Sequence, residues 1–356
     1  MQQTLRGEKW ANGVSWLMRQ DNPSIRYWTM KDLLGYPESD PEVSKVRSEI
    51  AGSSLVSLVL GEQRRGGYWA ESEDCYWPKW QATVWNLMLL AEFGVPGDHP
   101  QIRQGCEFFL NTMSEQDRSW PPPDYPEGDL RGYRLVWEPC VTGNMARTLV
   151  QFGYQDDSRV GEMFEWLVRT QFKDGGWNCD EADRSKQVKH SSFMSTIEPL
   201  WAFSALEPGR WPKGGREAVA RGCEFFLMHR LYKSDNTFQT INEEWTKLHF
   251  PLFYFYDILH GLRILTALES TGDKRAFDAI ELLKSKHSSD GTWPLEATYT
   301  RSIKGNFVKD QGTGKWNRVK GEGVAKVPRI YDELGIIGKP NPWITLNALR
   351  VLSHQE

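Results

Sequence analysis

Apolar residues along this chain recur at helical spacing and almost never alternate. Val160, Met163, Phe164, Leu167 and Val168 stand at i, i+3, i+4, i+7 and i+8, one apolar stripe that predicts an amphipathic helix over 160–170. Gly175-Gly176 then stop it. The same reading predicts helices over 10–18 and 25–34, and over 43–63 with a break at 52–54. Further helices are predicted over 79–93, 100–113, 141–153, 158–171, 193–206, 215–231, 251–268 and 274–287. No alternation of period two persists beyond a few residues, so the expectation is an all-α protein.

These segments come in pairs. The first of each pair is apolar nearly all round, as in Val84, Trp85, Leu87, Met88, Leu89 and Leu90, which predicts burial on both sides. The second has one apolar stripe and one polar face, and a glycine–aromatic closure follows it. The closures are Gly66-Gly67-Tyr68-Trp69, a looser one at Trp120, then Gly175-Gly176-Trp177, a weaker one at 234–238, and Gly291-Thr292-Trp293. The spacing of about 50 to 60 residues is an internal repeat. The hexapeptide Gly-Cys-Glu-Phe-Phe-Leu occurs at both 105–110 and 222–227, each time in the second helix of a pair, so Cys106 and Cys223 are expected to be packing residues. Paired helices with buried first members predict an α/α toroid, concentric rings of inner and outer helices, in preference to an open superhelix. The expected organisation is a single domain over 1–356 that opens with a helical hairpin at 1–36. Residues 294–342 make a long basic loop, with eight Lys or Arg from Arg301 to Arg329 against Asp310 and Glu322. It reads either as a lid over an anionic or diphosphate-bearing substrate or as a solvated loop.

Composition narrows the function classes. A net charge of −4 favours neither nucleic acid nor an anionic membrane surface as partner. There is no apolar run of membrane-spanning length and no secretory leader pattern at the start, and five cysteines are an odd number for a disulfide framework, so a cytoplasmic, reduced protein is expected. Seventeen Trp, twelve Tyr and sixteen Phe are more rings than helix packing needs, and they suit a cavity for a small, partly apolar or aromatic substrate as well as they suit a core.

The closures, best seen in Gln171-Phe-Lys-Asp-Gly-Gly-Trp177, resemble the QW repeat of the α/α-toroid superfamily of squalene and oxidosqualene cyclases and protein prenyltransferase β subunits. Residues 140–144, 175–179 and 343–351 also resemble bacterial and archaeal prenyltransferase-like proteins. The resemblance implies the toroid and does not name a reaction. The Asp-x-Asp-Asp acid of the cyclases is absent, and neither Asp156-Asp157 nor Asp180 to Asp183 replaces it. Of the Asp-x-Cys pair and distant His that hold zinc in the prenyltransferases, Cys179 and His190 alone have counterparts, because Trp177 stands two residues before Cys179.

Cys140 precedes an inner helix, Cys179 follows an outer one and His190 precedes the next inner one, so a toroid puts all three on one rim. Two thiolates and an imidazole suit zinc and leave a fourth coordination position open. Equally, the cysteines pack and His190 caps a helix. Cys75 or Glu198 is a further candidate ligand. Asp180 and Glu181 are candidate acid–base groups or a solvated acidic loop; His249, Tyr254 and Asp257 are candidate catalytic groups, or core residues among aromatic rings. Three functions therefore stay open: a zinc-dependent hydrolase or lyase, an isoprenoid cyclase or prenyltransferase, and a non-catalytic binding or scaffold toroid.

Overall fold

The computed structural model describes residues 10–70, 72, 75–76, 78–114, 138–179, 190–253, 255–299, 307–309, 316–318 and 328–354. Thirteen α-helices are found there. They are α1 (Ala11–Met18), α2 (Pro23–Trp28), α3 (Pro41–Ile50), α4 (Ser54–Leu60), α5 (Thr83–Glu92), α6 (Pro100–Ser114) and α7 (Pro139–Gln151). Then come α8 (Ser158–Thr170), α9 (Phe193–Ala205), α10 (Gly215–Met228), α11 (Ile258–Ala267), α12 (Phe277–Ser285) and α13 (Pro342–Leu352). The strands are β1 (Phe307–Lys309) and β2 (Trp316–Arg318), an antiparallel ribbon with Phe307 opposite Arg318. The rest of the basic 301–329 segment, apart from Pro328 and Arg329, lies outside the described residues. No described helix is long and apolar enough to cross a membrane.

The fold is an α/α toroid. α5, α7, α9, α11 and α13 form the inner ring, each packed on the next in that order, and α6, α8, α10 and α12 lie outside. The inner α5 is buried at every position from Thr83 to Glu92 except Asn86, whereas the outer α8 buries only Val160, Met163, Phe164, Trp166 and Leu167. This is the division that the apolar patterns predict. The ring closes where Phe93, just past α5, meets Trp343 at the start of α13, with ring centroids 5.3 Å apart. α1 packs on α13 as its outer partner.

One device recurs at three closures. The Trp69, Trp177 and Trp293 indoles donate to the carbonyls of Val59, Leu167 and Leu283, at 2.7, 2.9 and 2.8 Å. Each ties off a late carbonyl of the outer helix just completed. Their backbone N–H groups donate to Thr83, Thr196 and Thr345 Oγ1 on the inner helix that follows. Gln171 Nε2 donates to Gly175 O and Ala218 O, both at 2.7 Å, and so joins its turn to the next outer helix; Gln63 does the same to Gly67 O and Gln101 O. Gly175 has φ +101°, and a Cβ there would stand 2.5 Å from Arg221 O, so conformation and space both require glycine.

Because each outer helix carries the chain back, all five inner helices run the same way, with their N-termini on one rim. Their positive dipole ends gather there and their negative ends gather at the opposite floor. The segment 251–257, expected as the start of a helix, is not helical. Pro251 follows Phe250, Phe253 has φ +40°, and α11 begins only after Asp257. That segment dips into the ring, where Asn144 Nδ2 donates to Phe253 O at 2.9 Å and the Phe253 ring stacks on Trp80 at 5.3 Å. Likewise, the helix expected over 25–34 gives way to a π-helical turn at Thr29–Leu33.

Candidate metal centre

Glu138 is the N-cap residue of α7, and Pro139 sets the first turn, so Cys140 projects from the N-terminal end of an inner helix. Cys179 ends the stretch that begins at the Trp177 closure, and Ser195 Oγ on α9 accepts its N–H at 3.1 Å. The two elements meet on the rim. Cys179 Sγ lies 2.9 Å from Cys140 Sγ and accepts the Cys140 N–H at 3.4 Å, and Cys140 Sγ lies 3.9 Å from Glu138 Oε2. The ligand atoms of Glu138, Cys140 and Cys179 all fall within 4.8 Å of one another. Both sulfurs are free thiols, Cys140 buried and Cys179 half-buried.

The electrostatics of the group follow from its crowding. The hydrogen bond from Cys179, then burial, then repulsion of the thiolate by Cys179, Glu138 and Glu198 wherever these are ionised push the Cys140 thiol well above its ordinary pKa. Burial lowers the pKa of Lys79, while Cys140, Glu138 and Cys179 pull it back up. Lys79 is therefore the cation that faces this acidic group, and it also lies over the Tyr76 and Trp80 rings at 5.5 and 5.9 Å. With two thiolates and one carboxylate on a divalent cation the cluster would carry one negative charge, which Lys79 balances. Tetrahedral zinc with Zn–S of about 2.3 Å separates its sulfurs by about 3.8 Å, so binding requires the pair to part by about 0.9 Å. Cys179 is the less buried of the two.

The expected ligand set is only partly assembled. Cys140 and Cys179 come together, but the third member of the group is Glu138 and not His190. His190 is exposed, and its described bond is the backbone carbonyl that accepts from Asn178 Nδ2. Cys75 is buried, outside the group of three. Asp180, Glu181 and Tyr254 lie outside the described residues. Asp257 is fully buried and occupied as the N-cap of α11, accepting from the backbone N–H groups of His260 and His249, each at 2.7 Å. Burial pushes its carboxyl up to about 7 against the pull of those bonds. His249 stacks on Phe255 at 4.2 Å, and burial lowers its imidazole to about 4, so it is neutral at physiological pH. Glu138 and Lys79 escaped the sequence reading. The signal for Glu138 was Glu-Pro-Cys at a helix start, a spacing that places carboxylate and thiol on one helix end.

Below the rim the interior is polar at points and otherwise filled with rings. Trp80, Trp85, Phe253 and Tyr299 pack with centroids 4.2 to 5.5 Å apart. A small cavity of about 10 Å³, open to the centre of a water-sized sphere, touches Cys140, Asn144, Trp85 and Met88. Under it, Glu198 on α9 and His260 on α11 are both fully buried, and their side-chain polar atoms make no hydrogen bond. At the floor, Glu92 accepts from Arg147 at 2.6 Å and from Arg263 at 2.7 Å.

No family model matches the sequence, and no curated protein does either. Among solved structures, a protein from Actinoplanes is similar at 16% identity and a TM-score of 0.42, over 97% of both chains. The apo type II terpene cyclase MstE from Scytonema is similar at 14% identity and a TM-score of 0.42, over 98% of this chain and 88% of that one. Likeness at that level carries no argument about activity.

Proposed function

We propose that this protein is a single-domain, cytoplasmic toroid enzyme that holds a divalent transition metal, zinc by its ligand chemistry, at the N-terminal rim of its inner helices. The reading rests on one observation, the convergence of Glu138, Cys140 and Cys179 within 4.8 Å. Soft thiolates with a carboxylate suit zinc, and three protein ligands leave a position open to a substrate. When bound, such an ion supplies Lewis acidity to an oxygen of that substrate or of water, which suits hydrolase or lyase chemistry on a small, partly apolar or aromatic molecule. The chain's own residues supply the setting. The α7 N-terminus and Lys79 stabilise the negative ligands, and Glu138 and Cys140 are fixed by a helix start. The rings of Tyr76 and Trp85 wall the small cavity beside Cys140. Five free thiols fit a reducing compartment.

The packed interior favours a second reading, a non-catalytic binding toroid, because the two small cavities described do not hold a sizeable ligand while Phe253 is in place. Isoprenoid cyclisation or transfer likewise requires the 250–253 segment to withdraw. Elemental analysis of the protein, purified without chelator and after reconstitution with zinc, tests the first reading. About one zinc per chain is expected, falling in Cys179→Ser and Glu138→Gln but not in His190→Ala. Absence of stoichiometric metal from the reconstituted wild type sinks it in favour of the second.

A further inference from the structure

The floor of the ring has more positive charge than it can neutralise. Burial pushes the Glu92 carboxyl up, but Arg263 and Arg147 outweigh it and hold the group ionised, well below the usual carboxylate range. It is one carboxylate facing two guanidinium groups. Arg350 nearby is matched by Asp32, with Nη2 2.5 Å from Oδ2. Glu198 and His260 add no charge at neutral pH, because burial raises the one pKa and lowers the other. The C-terminal dipoles of the inner helices offset part of the excess. They do not satisfy the nitrogens: Glu92 is the one hydrogen-bond partner of Arg147 among the described residues, although the Arg147 side chain is only 3% exposed. A guanidinium has five N–H donors in a planar fork, so most of its bonding capacity is unused.

Those donors border a cavity. Arg147, Glu92, Trp201, Met88, Leu89 and Phe253 line a chamber of about 20 Å³ open to the centre of a water-sized sphere, room for one or two waters. Its polar end is the Arg147–Glu92 pair, with the Arg147 guanidinium carbon 3.7 Å from the Trp201 ring centroid and Glu92 turned to Arg147 and Arg263, while the other side chains that line it are aliphatic or aromatic. Arg263, 15% exposed, is the more accessible of the two guanidinium groups on Glu92.

We propose that this chamber binds the carboxylate of a small organic monoanion, with Arg147 as its main grip and the apolar body against Met88, Leu89 and Phe253. A single negative charge balances the excess, and a planar carboxylate matches the guanidinium fork. A dianion would overcompensate and would need donors that the apolar walls lack. A body larger than a methyl group displaces the 250–253 segment, so affinity depends on chain length. The site is independent of the rim metal, since Arg147 and the three metal ligands share no hydrogen bond.

The test is a titration of the full chain with acetate, propionate, acetamide and inorganic phosphate at constant ionic strength, read as melting temperature and by calorimetry. A saturable rise with acetate or propionate is expected, with no rise for acetamide and a weaker one for phosphate. Arg147→Gln should weaken acetate binding at least about tenfold, the loss of one charge-assisted contact. Leu89→Phe fills the chamber and keeps both arginines, and should also abolish binding. No saturable response, an equal response to acetamide, tighter binding of phosphate, or undiminished binding in a folded Arg147→Gln overturns the proposal. If Arg147→Gln does not fold, undiminished binding in Leu89→Phe overturns it alone. Zinc content measured on the same samples should not change, which separates failure here from failure of the rim assignment.

Discussion

Glu198 Oε1 lies 3.7 Å from His260 Nε2, and neither side chain has any exposure to solvent. Burial drives both toward neutrality, the carboxyl by raising its pKa and the imidazole by lowering its own. The pair therefore sits in the core of the ring without placing a charge there, too far apart for a hydrogen bond.

That pair sets a pH signature. A carboxyl whose pKa rises on folding contributes stability that is complete below its unfolded value of about 4.3, and this is lost as pH climbs toward the folded value. A histidine with a lowered pKa acts in the opposite sense, losing stability as pH falls below about 6.5. Above about pH 6.5 the carboxyl slope is what remains of this pair's contribution. Glu198→Gln should therefore be more stable than wild type in mild alkali and should show a shallower decline there, the remainder coming from other raised acids such as Asp257 and Cys140. Melting curves at several pH values check this, and an identical slope in the variant would refute it.

Removing Glu92 should be among the most damaging single changes. Glu92→Gln leaves Arg147 and Arg263 buried against each other without a counter-charge, and breaking such a pair costs about 3–5 kcal/mol. Denaturant unfolding reads the loss directly. A cost below about 1 kcal/mol would mean that an anion or solvent already screens the two guanidinium groups.

The three tryptophan closures should depend on their N–H groups as well as on their rings. Trp177→Phe keeps an aromatic ring but removes the indole donor from the Leu167 carbonyl, which is left with the longer 3.5 Å bond from Thr170 Oγ1. The expected loss is about 1–3 kcal/mol, and Trp69→Phe should behave alike. A neutral result at both positions would show that ring volume alone matters.

At Gly143 no side chain fits, because a Cβ would stand 2.5 Å from the Glu198 carbonyl carbon and the Pro199 nitrogen on the facing helix. Gly143→Ala should force α7 and α9 apart, costing about 1–3 kcal/mol as overpacked cores do, and should loosen the rim where Cys140 meets Cys179. Zinc affinity measured with the melting temperature tests both halves, and a stable variant with intact affinity would refute the claim of close approach.

The architecture was legible because it is written in periodicities that tertiary structure seldom overrides. All-round apolar segments such as 84–90 became inner helices, single-stripe segments such as 160–168 became outer ones, and the Gly–Trp pairs became their closures. What was not legible depends on side-chain direction and on loops. His190 stands close to the rim in sequence, yet it is exposed and outside the group, while Glu138 takes the third place because its helix begins there. The apolar run 251–257 has helical periodicity, but proline at its start and a capping aspartate at its end delay the helix to Ile258. The charge imbalance around Glu92 had no sequence signature, since its members are contributed by three helices far apart in the chain.

Ring closure has a consequence for how the molecule comes to be made. α1 packs on α13, and Asp32 pairs with Arg350, 318 residues further along the chain. The inner ring can be built pair by pair from neighbouring hairpins, contacts of low order that form quickly, but its last seam joins segments that leave the ribosome far apart in time. Until α13 emerges, the apolar faces of α1 and α5 that await it stay open to water and to other chains. That interval, and not the stability of the finished ring, is when this protein is most exposed to aggregation, so cells that make it slowly are expected to depend most on chaperones.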